Sequence, residues 1–348
     1  MEKLGPVVLR FLSSTDARET TRMQGKVASE QRTKCKSSAG IDVSQAWLDV
    51  HVRPCGTALR VANDANGIRK LKRELLARNV EIVVVEATGK WHRAARRSLY
   101  AGGIAVAEVD PYRARNFARA HNILAKNDRL DAGVLSLFAQ TMDPQVRPPA
   151  PETMEELGEL AQGRLSAVKE QTVLQNQLAA SMTAFLRRHL QKRIARLTAD
   201  IGALEKEIVR RIKADPGLAR RYEILTSVPG IGVATAIAFI ACLSELGSCT
   251  SKGIAKLVGV APLDDDSGRR NGARRIRGGR QAVRATLYMA ALTATRNNPD
   301  LKAYFDRMIA TGKAYKLVMV AVMRKLVILA NILIAQDRKW QITAPQNA

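Results

Sequence analysis

The feature that most limits the fold is the change of pattern at Ala39, where an irregular polar stretch gives way to short apolar runs in a fixed order. Residues 40–43, 47–52 and 58–62 read as two or three antiparallel strands, with 44–46 as the first turn. Residues 68–78 then have helical spacing, 81–86 is a strand of the buried type, 91–101 is helical, 104–109 is another strand, and helices follow Pro111. A meander followed by alternating elements predicts an α/β domain over residues 39–143. Its later strands should be parallel, because each is reached through a helical crossover.

Downstream the pattern changes twice. Four prolines within 144–151 predict a linker. Residues 152–215 hold almost no Gly or Pro and are rich in Leu, Ala, Glu, Gln, Lys and Arg, which predicts long helices. Coiled-coil pairing and a hairpin packing only on its own chain both fit, because the heptads are not strict. From about Arg221 to Trp340 the pattern is mostly helical, interrupted by the Gly- and Arg-rich residues 267–279. The expected class is therefore α/β plus all-α, with a basic arm (1–38), the α/β domain (39–143), linker and paired helices (144–220), a helical domain (221–340) and a tail (341–348). Met23 is an alternative start within the arm.

The 348 residues suit two compact domains and a connector. Lys and Arg number 56 against 32 Asp and Glu, a formal charge of +24 that calls for a polyanionic partner, nucleic acid before membrane. The four cysteines form no CxxC pair, so neither a zinc site nor a disulfide framework is implied. The N-terminus lacks a secretory signal, and the apolar stretches 230–243 and 316–335 are too short or are interrupted by Arg324 and Lys325. A cytoplasmic protein with no membrane partner is expected.

Asp42 is the only charge in the first strand, where an unpaired carboxylate facing a core would cost several kcal/mol. Glu86 closes another strand, at the C-terminal end where sites gather in open α/β sheets. Asp128 and Asp131 are three apart at a helix start and share a face. Four carboxylates from three segments, on an RNase H-like strand order, suit Mg²⁺ or Mn²⁺ and phosphoryl displacement. Ordinary roles compete for each: Asp42 in a turn, Glu86 with an Arg, Asp128 as an N-cap. Asp49, Glu108 and Asp110 are substitutes.

Ser267 precedes Gly268 in what reads as a flexible turn, between Asp264–Asp266 and six arginines: Arg269, Arg270, Arg274, Arg275, Arg277 and Arg280. A serine there can meet a phosphodiester, given a base or metal to activate it and cations to stabilise the phosphate. A surface turn in a phosphate-binding loop is the plainer alternative. Residues 225–239, with Gly230 and Gly232, have the PGIGxxTA form of a helix-hairpin-helix motif, whose turn offers backbone N–H groups to phosphate.

The ordered set GIDVSQAWLDVHV, VVVEATG, VDPYRARNFARA, KNDRLDA, VPGIGVATA, GVAPLDDDSG and RIRGGRQAVRATLYMAA resembles DEDD-type transposases of the insertion-sequence-110 family, especially its 1111 branch. The resemblance covers about residues 39–340. It implies a RuvC-like N-terminal domain, a coiled-coil connector and a C-terminal domain carrying a serine. Asp42, Glu86, Asp128 and Asp131 would be the metal ligands, and Ser267 the nucleophile forming a phosphoserine link to double-stranded DNA. It further implies a homo-oligomer (dimer or tetramer) with composite sites, a non-coding bridge RNA as guide, and a bacterial, nucleoid-associated location. Asn127 stands where the family often has Thr, and residues 1–38 match nothing in it. Two rival readings are a RuvC-like junction resolvase using metal-activated water, and a non-enzymatic nucleic-acid-binding protein.

Overall fold

A computed structural model describes residues 37–87, 89–123, 128–264, 266–267, 270–272 and 274–342; for 128–130, 266, 267, 270 and 271 the backbone alone is described. Most of the expected basic arm therefore lies outside the described residues, and Ser38, assigned to it, is instead the buried first residue of a strand. The chain divides into two compact units, Met1–Pro149 and Ala150–Ala348.

In the first unit, β1 (Ser38–Val43), β2 (Trp47–Arg53) and β3 (Thr57–Ala62) form the meander. Ser44 closes the first turn, its N–H donating to the Trp47 carbonyl at 2.9 Å and its Oγ accepting from the Trp47 N–H at 3.0 Å. Helix α1 (Ala65–Ala77) then leads to β4 (Ile82–Glu86), and α2 (Arg93–Ala101) to β5 (Ala105–Val109). Asp64 starts α1 by accepting from the Gly67 N–H at 2.7 Å, an N-cap satisfying one of the helix's unpaired donors. The sheet order is β3-β2-β1-β4-β5, antiparallel within the meander and parallel across β1-β4-β5, as the crossovers require.

Strand alternation gives the sheet two different faces. Ala39, Ile41, Val43, Leu48, Val50, Val83 and Val85 pack under Leu71, Leu75, Ala95 and Leu99 of α1 and α2. The opposite face receives α3 (Pro111–Ala120) and α4 (Asp128–Thr141), where Val84 and Ala107 meet Phe117, Leu135 and Phe138. Helix α4 lies so close to β1 that a Cβ on Gly40 would overlap the Ala132 carbonyl oxygen and the Ser136 nitrogen, and stand 2.7 Å from the Leu135 carbonyl carbon. Only glycine fits there, since every nearest atom is backbone.

The second unit begins with two long helices, α5 (Glu152–Ala180) and α6 (Ala184–Ala214). They pack on each other and are tied by Arg164–Glu205, Arg193–Glu170 and Arg211–Glu156 ion pairs. At their base Leu157, Ala161, Ile208 and Ile212 share one core with α7 (Pro216–Thr226), α8 (Val233–Cys242), α9 (Ser251–Val258) and α10 (Gln281–Asn297). The base of the paired helices thus joins the C-terminal core, while the buried Leu174 and Leu190 further along them are outside it.

Helices α11 (Pro299–Ala310) and α12 (Tyr315–Ala335) complete the unit. Helix α12 is long and apolar enough to cross a membrane, yet Val318, Val322, Leu326, Val327 and Ala330 pack in the core. Its buried Asn331 accepts from the Gly247 N–H and donates to the Cys249 carbonyl, both at 2.8 Å, which satisfies the amide inside that core.

Between α9 and α10 the chain forms two short ribbons, β6 (Pro262–Leu263) with β9 (Arg275–Ile276) and β7 (Asp266–Ser267) with β8 (Arg270–Asn271). Ser267, expected in a flexible turn, instead pairs with Arg270 in this ladder. That pairing is local, three residues along the chain, and its ladder is separate from the β6–β9 pair.

The Gly40 contact yields a direct test of the fold. Gly40→Ala should push α4 off the sheet and lower stability by about 1–3 kcal/mol, the usual cost of overpacking. Thermal melts of the two proteins would show it, and an unchanged melting temperature would mean that α4 does not sit this close.

Candidate active site: a carboxylate edge on the sheet

The α4-facing side of the sheet gathers polar groups that an ordinary core would exclude. Gly40 faces α4, so Asp42, two residues on, projects from the same face. Val84 also packs on the α3/α4 side, so Glu86 does likewise. In the parallel register Ile41 pairs with Val85, which brings Asp42 and Glu86 level, one step further along neighbouring strands.

Helix α4 runs against β1 in the opposite sense. The Ser38 Oγ donates to the Ser136 carbonyl at 3.2 Å, while Gly40 meets Ala132 as well as Ser136. Moving from Ser38 towards Asp42 therefore leads to the N-terminal turn of α4, which carries Asp128 and Asp131. That end of a helix favours anionic side chains. The structure thus brings Asp42, Glu86 and Asp131 to one corner; the Asp128 backbone opens the same helix, and its side chain lies outside the described groups. Among the described residues no set of three or more His, Cys, Asp or Glu is close enough to be a ready-made metal cage. The donor set itself is all carboxylate, which suits a hard divalent cation.

The three substitutes are accounted for by their partners. Asp49 faces Asp42 across the β1-β2 ladder, but it takes a bidentate ion pair from Arg60, with both contacts 2.8 Å long. This pairing keeps a second carboxylate beside Asp42 from adding uncompensated charge. Glu108 lies on the other face, bonded to His92 and Arg96 at 3.0 Å each. The His92 hydrogen bond, followed by the Arg96 charge, holds its carboxyl below the usual range despite partial burial. Asp110 caps α3, accepting from the Tyr112 N–H at 2.9 Å.

Beyond Asp49, the α4-facing residues of β2 are His51 and Arg53. The Ser136 Oγ donates to the Gly133 carbonyl at 2.8 Å, which leaves it to accept from His51 Nδ1 at 2.8 Å and from Arg53 Nε at 3.3 Å. Burial, then the Arg53 charge, lowers the His51 pKa and favours the neutral ring with its proton on Nδ1. This polar layer anchors α4 to the strand pair. It was missed in the sequence, although Asp49, His51 and Arg53 at alternate positions of one strand are its visible signature. A cavity of about 310 Å³ beside Asp49, Arg60 and Ala132 keeps this face open.

In the second unit the arginines divide. Arg274 pairs with Asp264 at 2.8 Å at the surface, and Arg275 and Arg277 are exposed. The side chains of Arg270 and Ser267, and all of Arg269, lie outside the described groups. Arg280, expected among the phosphate-binding residues, is instead a structural strut. It forms a bidentate pair with Glu245 (2.6 and 2.7 Å) and donates to the Cys242 carbonyl at 2.9 Å. Gly230, at φ +106°, lets the α7–α8 turn approach α10, since a Cβ would stand 2.8 Å from the Ala294 Cα. Gly232, the exposed N-cap of α8, has open space around it.

Two family models match this architecture in order. One, described as a transposase, covers residues 39–186; the other, of the transposase IS116/IS110/IS902 family, covers residues 222–306. The pilin gene-inverting protein of Moraxella bovis is 25% identical over 263 residues, 74% of this chain and 81% of its own length. Its counterpart in Moraxella lacunata matches with the same figures. An uncharacterised 43.6 kDa protein of insertion element IS110 from Streptomyces coelicolor is 30% identical over 182 residues, 49% of this chain and 40% of its own length.

An α/β sheet with carboxylates at its strand ends, joined to a basic helical unit and matched by these models, defines a DNA-cutting and rejoining enzyme with a divalent-metal-dependent site. The chain belongs to the IS116/IS110/IS902 family of transposases.

The Glu245–Arg280 strut makes a pH prediction. Arg280 lowers the Glu245 pKa to about 2, so the pair adds stability that is complete above the unfolded carboxylate's pKa, near 4.5, and fades as pH falls towards 2. Glu245→Gln should lower the melting temperature at pH 7, and the gap from wild type should shrink at pH 3. A gap of equal size at both pH values would show that charge is not what the pair contributes.

Proposed function

We propose that this transposase moves an insertion sequence with a carboxylate-held Mg²⁺ (or Mn²⁺) site and a serine nucleophile. The observation that carries the first half is the level placement of Asp42 and Glu86 on the α4-facing side of neighbouring strands, at the helix end bearing Asp128 and Asp131. These four residues would hold the metal, which supplies Lewis-acid stabilisation of the phosphate. Ser267 attacks phosphorus: its Oγ–P bond forms, a P–O bond to sugar breaks, and the released sugar hydroxyl takes a proton. Attack by a second strand's hydroxyl on the phosphoserine rejoins DNA and returns the serine.

Support for the second half is the position of Ser267 in a ribbon beside Arg270, with Arg274, Arg275 and Arg277 exposed nearby in sequence. Those cations suit phosphate contacts, as do Arg269 and Arg270, whereas Arg280 supports α10. Gly232 and the N-terminus of α8 serve as a helix-hairpin-helix contact with backbone phosphate, and α5 and α6 act as a coiled-coil arm between copies in a homo-oligomer. The relatives named for insertion elements favour double-stranded DNA ends as substrate, in the bacterial cytoplasm, and the resemblance adds a non-coding bridge RNA that pairs with them. Proteins that leave sequence choice to base pairing read the backbone of the resulting duplex, which the +24 charge suits.

Junction formation in cells tests this. The gene with its native flanks is expressed as wild type, Asp42→Asn and Ser267→Ala at equal levels, and the joined element ends are amplified. Both variants should lose the product by at least about a hundredfold, the scale of removing a catalytic group. Survival of Ser267→Ala would transfer the chemistry to metal-activated water.

A further inference from the structure

We infer that a cavity of about 680 Å³ between the β6/β9 ribbon, α11 and α12 receives an unpaired base of a nucleic-acid strand. The inference rests on the transposase reading and adds a second contact, away from the carboxylate edge. Its floor is aliphatic, made by Val260 beneath the ribbon, Ile276 on it, and Val320, Ala321 and Ile328 along α12. Its rim is cationic: Arg275 from the ribbon, beside Arg274 that Asp264 already pairs at 2.8 Å, faces Lys316, Arg324 and Lys325 from α12. No described lining residue is acidic.

Each half of this combination answers a different part of a nucleotide. The rim suits phosphates, which the floor cannot solvate; the floor suits a flat, weakly hydrated surface, which a phosphate lacks. A paired duplex keeps its bases stacked inside and can reach only the rim. A strand with an unstacked base satisfies both, with the base on the apolar floor and the flanking phosphates on the cations. The aromatic wall is Tyr304, whose ring has Lys325 Nζ at 4.5 Å and the Arg307 guanidinium at 5.7 Å. The volume falls within the range of pockets that enclose small organic groups. Lys316, Arg324 and Lys325, the charges of the otherwise apolar α12, thereby gain a role besides solvating its surface.

The test uses the full-length protein and fluorescence anisotropy with three probes of equal length: single-stranded DNA, single-stranded RNA and duplex DNA. Ala321→Phe fills the floor and leaves the rim charges in place. It should weaken single-strand binding about tenfold, the scale of one lost stacked base, and change duplex binding less than about twofold. The DNA and RNA arms tell which strand the cavity prefers. Equal losses on all probes, or none on any, would overturn the cavity assignment while wild-type duplex binding and junction formation leave the transposase reading standing.

Photocrosslinking of wild-type protein gives a reading that does not depend on a variant's folding. A single-stranded probe carrying one 4-thiothymidine should label Tyr304 or Leu317. Labelling confined to residues outside the cavity would also overturn the assignment.

Discussion

The backbone contact at Gly40 is the constraint on which the first unit depends. With no side chain at that position, α4 settles directly on β1, and the helix's N-terminal turn is carried to the ends of β1 and β4. The parallel β1-β4 register does the rest, by setting Asp42 level with Glu86 on the same face. The Ser136 layer, with His51 and Arg53 reaching across from β2, fixes how far along the strand the helix stands. A one-residue slip in either register would turn a carboxylate to the α1/α2 core, where it would be buried without partners.

Charge is managed differently in the two units. At the sheet edge, Arg60 neutralises Asp49, while His92 and Arg96 hold Glu108 on the opposite face from Asp42 and Glu86. In the C-terminal unit most cations stay at the surface, where their attraction for phosphate falls with salt. Arg280 is the exception: Glu245 binds it through both terminal nitrogens, and it braces the start of α10 against the end of α8. The same residue type three positions apart in a basic stretch, Arg277 and Arg280, thus stands in two settings, one exposed and one ion-paired.

Much of the first unit was legible in the sequence, because its signals are local. Alternation marks β1 to β3, the helical spacing after Asp64 marks α1, and the lone acidic residue of an apolar strand marks Asp42. What escaped depends on distance along the chain. The β6–β9 pair reaches from Pro262 to Ile276, and Arg280 meets a glutamate 35 residues earlier. The paired helices α5 and α6 were visible, but not that Leu157 and Ile212 join the C-terminal core, since burial of a helix base is set by what folds against it. The basic cavity was invisible for the same reason: Arg275 and Lys316 are brought together only by α11 and α12.

The central claim is that one face of the sheet, and not acidity as such, makes the metal site. Mn²⁺ binding followed by electron spin resonance tests it most directly, on wild type, Asp42→Asn, Glu86→Gln and Glu108→Gln. The account predicts at least about tenfold weaker binding in the first two variants, as for loss of a group that holds or orients a metal, and wild-type binding in Glu108→Gln, whose carboxylate lies on the other face. Unchanged Mn²⁺ binding in Asp42→Asn, or an equal loss in Glu108→Gln, would contradict it.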